Sequence, residues 1–480
     1  MNTKGYILSF LLLCLSVTLW FQRTARWLLA TNAGETHPSL VPTGEPLPQQ
    51  GHRNGLDCSA IRVGQGKDAI NDISYWHKDP SQVWDYKAPY GVTEKEPKYV
   101  SFEVDAAGWN NRRLSFENLF VFAAVTGRTL VMPEKMHIPM MGKSMLDFQS
   151  FYPLHLAHEA GVVEIISVGE FFEREAKPGK LILPLPPDID KLNLHQVRKY
   201  LSAVAERYEG GLPEAMPGEK GLIFTEPAGG ESYSDEEIEG WLSGRIRLDY
   251  DETWQSAKLI HWRSDHRVTR LLAPFYTFIM HKDPHLDRYF KRLVREFLHY
   301  PDALFCKASQ VLEMIEEEAG GDGSFSAMHV RRGDFLSEYP QVIFTGDHLM
   351  QTTAEYVNEG ELLFIMTDEK DREFFKPLES RYKVRFLGQY FDRAGVQEIN
   401  PMQISLLEAI IASHGRTFTG TYFSTLSAYV LRLRGYLGQP RDSSWFPSAR
   451  HRTEPHETMW PRRPYWFSEW YQGWEGIDEP

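Results

Sequence analysis

Four short apolar runs, FSAMHV (325–330), LLFIMTD (362–368), VRFLG (384–388) and TFTGT (417–421), alternate with helical patterns near 347–358, 370–379, 402–413 and 424–436. Short apolar runs separated by helices are the mark of parallel strands joined by crossover helices. The alternation restricts residues 321–440 to a Rossmann-like lobe, with ligands expected outside the carboxyl ends of the strands. A second unit starts at KYVSFEVD, reads as strand, and turns at Ala106-Ala107-Gly108. An amphipathic helix is expected from Asn111 to Thr126, stopped by Gly127, before the strand TLVMP at 129–133. LIHW at 259–262 reads as a buried strand, residues 178–250 as an insertion, and the helical pattern before Gly320-Gly321 closes this first lobe.

The chain has 480 residues, with 52 Lys+Arg against 65 Asp+Glu and a net charge of −13. Such an acidic surface lacks the basic footprint that nucleic-acid binding requires, so no nucleic-acid partner is expected. With 42% apolar and 24% charged residues, the composition also excludes a disordered or polytopic membrane chain. Three cysteines, Cys14, Cys58 and Cys306, are too few for a four-cysteine zinc site; a single Cys58–Cys306 bridge requires an oxidising compartment.

Tyr6 to Phe21 is an uncharged, mostly apolar run, about 24 Å long as a helix, against a bilayer core of about 30 Å. It extends through Trp27-Leu28-Leu29 if Arg23 and Arg26 snorkel. No A-x-A cleavage site follows it, so an uncleaved signal-anchor is favoured over a removed signal peptide. Residues 31–95, rich in Gly, Pro and His, read as a stem.

Three segments at strand-to-helix junctions carry chemistry. His329-Val330-Arg331-Arg332-Gly333-Asp334 places a guanidinium at a strand end, where it can fork onto a phosphate. The bland reading is an ion pair between Arg331 or Arg332 and Asp334. Gly108-Trp109-Asn110-Asn111-Arg112-Arg113 opens a helix, whose free N–H groups and dipole favour an anion. Its bland reading is an Asn-capped helix with two solvated arginines. Gly420-Thr421-Tyr422-Phe423-Ser424-Thr425-Leu426 places hydroxyls at a helix start, as caps or as phosphate ligands. Asp188-Ile189-Asp190 and Asp249-Tyr250-Asp251 have D-x-D form but sit in acidic, loop-like context and read as surface carboxylates. No H-E-x-x-H, G-x-S-x-G or G-x-x-x-x-G-K-[ST] pattern occurs.

Taken together, GWNNRRLSFENLFVFAAVTGRTLVMP, HVRRGDF and TFTGTYFSTLSAYVLRLRGY resemble, in order and spacing, the motifs of the GDP-fucose O-fucosyltransferase family across residues 95–440. The resemblance implies an α/β, GT-B-like fold of two Rossmann-like lobes facing a cleft. It implies inverting, metal-independent transfer of L-fucose from GDP-fucose to a hydroxyl of a protein or glycan, with no cofactor beyond the donor. By position, Arg331 would hold the β-phosphate and stabilise departing GDP. His329 would assist donor binding, and Ser424 and Thr425 would meet the diphosphate. Asn111 would lie near the reacting centre, with Gly108 and Asn110 shaping its loop. Departures are Ala107, where some members carry a Glu proposed as base, Arg416, where some carry a guanine-reading Asp, and Leu426 in place of Phe.

The expected layout is a transmembrane anchor (1–30), a stem (31–95), an acceptor-side lobe (96–320), a nucleotide-sugar lobe (321–440) and a Trp-rich tail packing across the lobes (441–480). The expected location is the secretory-pathway membrane, Golgi or ER, with the body luminal. Left open are another nucleotide sugar on the same fold and an inactive homologue binding a glycan or partner.

Overall fold

The computed structural model describes residues 52–53, 56–58, 73–76, 88, 90, 96–105, 107–138, 145–186, 193–213, 219–225, 232–264, 270–447, 453–455, 469 and 477–478. The expected anchor and most of the expected stem lie outside the described residues. Among the described residues no helix is long and apolar enough to cross a membrane.

Three mainly parallel sheets organise the chain. Strands β1 (Tyr99–Phe102), β2 (Thr129–Met132) and β3 (Ile165–Ser167) belong to the first, β4 (Lys220–Phe224) and β5 (Ile246–Asp249) to the second. β6 (Leu259–Trp262) returns to the first and β7 (Ile279–His281) to the second. β8 (Ser326–Val330), β9 (Leu362–Thr367), β10 (Lys383–Arg385), β11 (Phe418–Thr419), β12 (Ser444–Pro447) and β13 (Thr453–Pro455) form the third. The orders are β6-β1-β2-β3, β7-β4-β5 and β10-β9-β8-β11-β12-β13, parallel throughout except for the β12–β13 pair. β1, β2, β6 and β8 are buried along their whole lengths, as expected of parallel strands covered on both faces. The alternation read from residue 325 onward is therefore one sheet, and the expected insertion at 178–250 supplies two strands of another.

Long helices fill the layers: α1 (Trp109–Thr126), α2 (Leu194–Ala205), α3 (Asp235–Leu242), α4 (Pro284–Phe297), α5 (Asp302–Ala319), α6 (Gly346–Thr353), α7 (Ile404–Ser413) and α8 (Thr425–Tyr436). α1 departs from the expected amphipathic helix. All its residues except Asn111 are buried, because it packs at once on β1 and β2, on α4 and on α8. A helix covered all round needs no polar face. It stops at Gly127, whose left-handed backbone (φ 65°) lets its N–H reach back to the last turn.

The compact body spans Gln50–Pro480. Leu56, Cys58 and Ile73, placed in the stem by composition, are buried in the main core. Cys58 is bridged to Cys306 on α5, with Cα atoms 5.9 Å apart. Trp76 stacks on His299 at 3.9 Å. A covalent tie and an aromatic contact thus hold a Gly/Pro-rich segment that has no periodic pattern to reveal it.

Candidate functional site

In the third sheet the chain runs outward from β8 through β9 to β10, then crosses back to place β11 on the other side of β8. The strand order therefore reverses between β8 and β11, the place where open α/β sheets bind ligands. At that point a cleft, partly open to solvent, is lined by His329, Arg331, Arg332, Phe344, Leu349 and Thr421 among others.

Thr421 staples the two strand ends. Its Oγ1 donates to the His329 carbonyl at 2.7 Å and accepts the Arg331 N–H at 2.9 Å. Ser427 completes the corner, accepting the Thr421 N–H at 2.9 Å and meeting His329 Nδ1 at 2.7 Å. Burial, and secondarily the Arg331 charge, push His329 down to about 3, so the ring is neutral and works through hydrogen bonding. The Arg331 guanidinium bonds Asp334 at 2.6 Å and Asp368 at 2.7 Å, which is the strand-end ion pair of the bland reading. The bridges are not sealed in the core. Arg331 is 19% exposed, Asp334 46% and Asp368 27%, so a strong anion can reach and compete for the guanidinium. Arg332 is turned aside, paired with Glu369 at 2.6 Å and lying over the Phe374 ring.

The loop before α1 differs from its bland reading. Gly108, not an Asn, is the N-cap, in extended conformation without a side-chain cap bond, and the space where a Cβ would stand is open. Arg112 and Arg113 are buried, not solvated. Arg112 Nε donates to the Ala107 carbonyl at 2.9 Å, and Asn110 Oδ1 accepts from Arg113 Nε at 3.2 Å. Arg113 also bonds Glu117 at 2.8 Å and Glu469, and its pKa is pushed up by those two carboxylates against the cost of burial. Asp105 is fully buried, gripped by Arg270 at 2.7 and 3.1 Å and by the Ala107 N–H at 2.8 Å. Both of its oxygens are thus engaged inside the protein, turned to Arg270 and the loop backbone.

Ser424 caps α8 through the Ser427 N–H. Just before it, Phe423 adopts φ 66°, a left-handed conformation costly for a bulky residue, and its ring stacks on Tyr339 at 5.1 Å. A left-handed residue ahead of a helix N-terminus turns successive N–H groups to one side, as anion-binding nests do. Thr425 Oγ1 then donates to Asn111 Oδ1 at 2.8 Å, across 314 positions of sequence. Arg331, Thr421, the start of α8 and Asn111 form one hydrogen-bonded chain, so all three predicted segments meet.

Other expectations resolve simply. Asp249 pairs with Arg247 at 2.9 Å and Asp251 caps the short helix Glu252–Ser256. Asp188 and Asp190 lie outside the described residues. Arg416 sits before β11, bonded to Glu361 at 2.6 Å, away from the cleft. The rings of the tail beyond Pro447 lie outside the described residues, but its Glu469 is buried against Arg113 and Arg432. Thr421, Ser427 and Asp368 were missed as site residues. All three stood inside the quoted runs, and only their spatial pairing singles them out.

A family model described as GDP-fucose protein O-fucosyltransferase matches residues 99–437. No curated protein matches. Among solved structures, apo POFUT1 aligns at 11% identity and TM-score 0.38, over 74% of this chain and 99% of that one. A mutant Arabidopsis thaliana FUT1 with GDP aligns at 15% and 0.35, over 74% and 71%. NodZ alpha-1,6-fucosyltransferase co-crystallised with GDP aligns at 14% and 0.35, over 70% and 92%.

Proposed function

We infer the chemistry of the site from one premise, that this chain belongs to the GDP-fucose protein O-fucosyltransferase family. It is a glycosyltransferase that moves fucose from GDP-fucose to an acceptor. We propose further that the transfer inverts the anomeric centre, that the acceptor group is a hydroxyl of a protein or glycan, and that the sheets face each other in a GT-B-like manner.

In this reading the diphosphate lies against Arg331 and the start of α8. The bond between fucose C1 and the β-phosphate oxygen breaks, with its electron pair leaving on GDP. The acceptor oxygen attacks C1 from the opposite face and gives up its proton. Negative charge grows on the diphosphate, where Arg331, the Ser424 hydroxyl and the first N–H groups of α8 stand ready as donors; the Thr425 hydroxyl, expected to meet the diphosphate, instead spends its proton on Asn111. His329 supports the site through Ser427 rather than as a cation. Asn111, the least buried residue of α1, faces the reacting centre, and the open space over Gly108 admits the sugar. The Arg331 charge and the neutral donors beside it support a metal-independent reaction. The single observation that carries the reading is the Thr425–Asn111 hydrogen bond, because it brings the diphosphate side and the loop side to one place.

We also propose that residues 1–30 anchor the protein in a secretory-pathway membrane, Golgi or ER, with the body luminal. The uncharged run Tyr6–Phe21 and the Cys58–Cys306 bridge support this, since disulfides persist in oxidising compartments.

The test uses the full-length chain in microsomal membranes with a panel of nucleotide sugars. GDP-fucose should be the donor consumed, equally with and without EDTA. Consumption of a UDP-sugar instead, or loss of turnover in EDTA, would overturn the donor or the metal assignment. In the same membranes, protease should reach the body only after detergent; digestion of intact vesicles would reverse the topology.

A further inference from the structure

β8 and β9 run parallel with Val330 opposite Thr367, so Arg331 and Asp368 leave the sheet side by side. Thr367 Oγ1 donates to the Val330 carbonyl at 2.7 Å, holding the two strands together to their last residues. Asp368 then meets three features of the neighbouring turn. Its Oδ1 accepts the Arg332 N–H at 2.8 Å. Its Oδ2 receives the Arg331 guanidinium at 2.7 Å. The same oxygen occupies the space beside Gly333, where an added Cβ would stand 2.3 Å away. The glycine of the HVRRGD segment is thus explained by the carboxylate it admits. Asp334 also bonds Arg331, but it sits in the same turn and is far more exposed. Asp368 comes from a separate, buried strand and is the fixed point.

We propose that Asp368 is a positioning residue for the transfer: it aims the Arg331 guanidinium at the diphosphate and fixes the peptide that carries it, without touching the donor. A guanidinium works as a planar fork, so its orientation matters as much as its charge. Misplacement of a reacting or stabilising group by about 1 Å can cost ~10²-fold in rate. The proposal rests on the reading of Arg331 as the diphosphate ligand, and the test separates the two.

The experiment is a double-mutant cycle on the full-length protein, read as turnover of GDP-fucose and as GDP affinity. Asp368→Asn keeps an oxygen for the Arg332 N–H and removes the charge that orients Arg331. It should lower kcat/KM by about tenfold to a hundredfold and weaken GDP binding by about tenfold, with little change in melting temperature. In an Arg331→Ala background the same substitution should change GDP affinity by less than about twofold, because pairs that act through one contact are not additive. Gly333→Ala, which pushes the carboxylate aside, should reproduce Asp368→Asn and add nothing to it. Wild-type activity in Asp368→Asn, or an equal loss of GDP affinity with and without Arg331, would overturn the proposal. If Arg331→Ala itself binds GDP and turns over normally, the donor-site reading fails instead.

Discussion

Arg331 has three ways to spend its charge: Asp334, Asp368 or a ligand. Asp334 is the more exposed of the two carboxylates, so its bridge is weak beside a dianionic diphosphate held in a cleft and can yield to it, while the Asp368 bridge stays to orient the fork. Replacing Arg331 by Ala should therefore leave the fold intact and lower turnover by about 10²–10³, the cost of removing one preformed donor from developing charge. Turnover within a few-fold of wild type in a folded Arg331→Ala protein would remove this residue from the mechanism. Arg331, Asn111 and Thr425 were legible in the sequence because each sits where a strand pattern gives way to a helix pattern. Asp368 was not, although it closes the run LLFIMTD, because its partner lies 37 positions away and only strand register brings them together. Ala107 and Asp105 show the opposite limit. Sequence could say that no Glu precedes Gly108, but not that Asp105 is already held by Arg270.

At the scale of elements, α1 and α8 cross through a buried cluster of four charges. Glu117 of α1 takes a bidentate fork from Arg432 of α8, both bonds 2.8 Å, and also bonds Arg113 at 2.8 Å. Glu469 of the tail bonds both arginines, giving two carboxylates for two guanidiniums. This balance lets a helix carrying Arg113 and Glu117 be buried on that side, while Arg112 is held apart from it by the Ala107 carbonyl; no polar stripe is needed when the polar groups are satisfied inside. Arg434, in the same RLRGY run, does another structural task, bonding the Ser413 carbonyl at 3.2 Å and the Ser443 hydroxyl at 2.6 Å. Glu117→Ala would leave two buried guanidiniums sharing one carboxylate, at a cost of about 3–5 kcal/mol. Thr425→Val, which removes one half-buried hydrogen bond from the same helix pair, should cost only about 1 kcal/mol. Chemical denaturation of both variants checks the contrast; equal stabilities would mean that the charge cluster does not hold α1 to α8.

For the whole molecule, the sequence conveyed the parallel third sheet and both strand-to-helix units, but not how many histidines folding would bury. Burial depresses His261, takes His281, His299 and His414 to about 4, and takes His329 to about 3. The unfolded chain has ordinary histidines near 6.5. Between these values the unfolded chain binds protons that the folded chain refuses. The contribution is therefore fully present above about pH 6.5 and is lost progressively as pH falls toward 4. Glu408 opposes it: burial raises this carboxyl to about 8, so its contribution is greatest below the ordinary carboxylate range and fades as pH rises through about 8. Five depressed histidines outweigh the two carboxyls raised by burial, Glu408 and Glu316, so the melting temperature should fall steeply from pH 6.5 to pH 4.5. His281 offers the cleanest dissection, because it lies flat between Phe224 and Phe290, at 5.4 and 4.6 Å, with Asp287 favouring and Lys291 opposing its charge. His281→Phe keeps the stack and removes the titrating ring. It should flatten the acid limb of the melting curve while leaving the value at pH 7.5 nearly unchanged. A slope identical to wild type would assign the acid sensitivity to the other buried histidines; the Glu117 carboxyl, which Arg113 and Arg432 hold below its ordinary value against the cost of burial, loses its share only at lower pH.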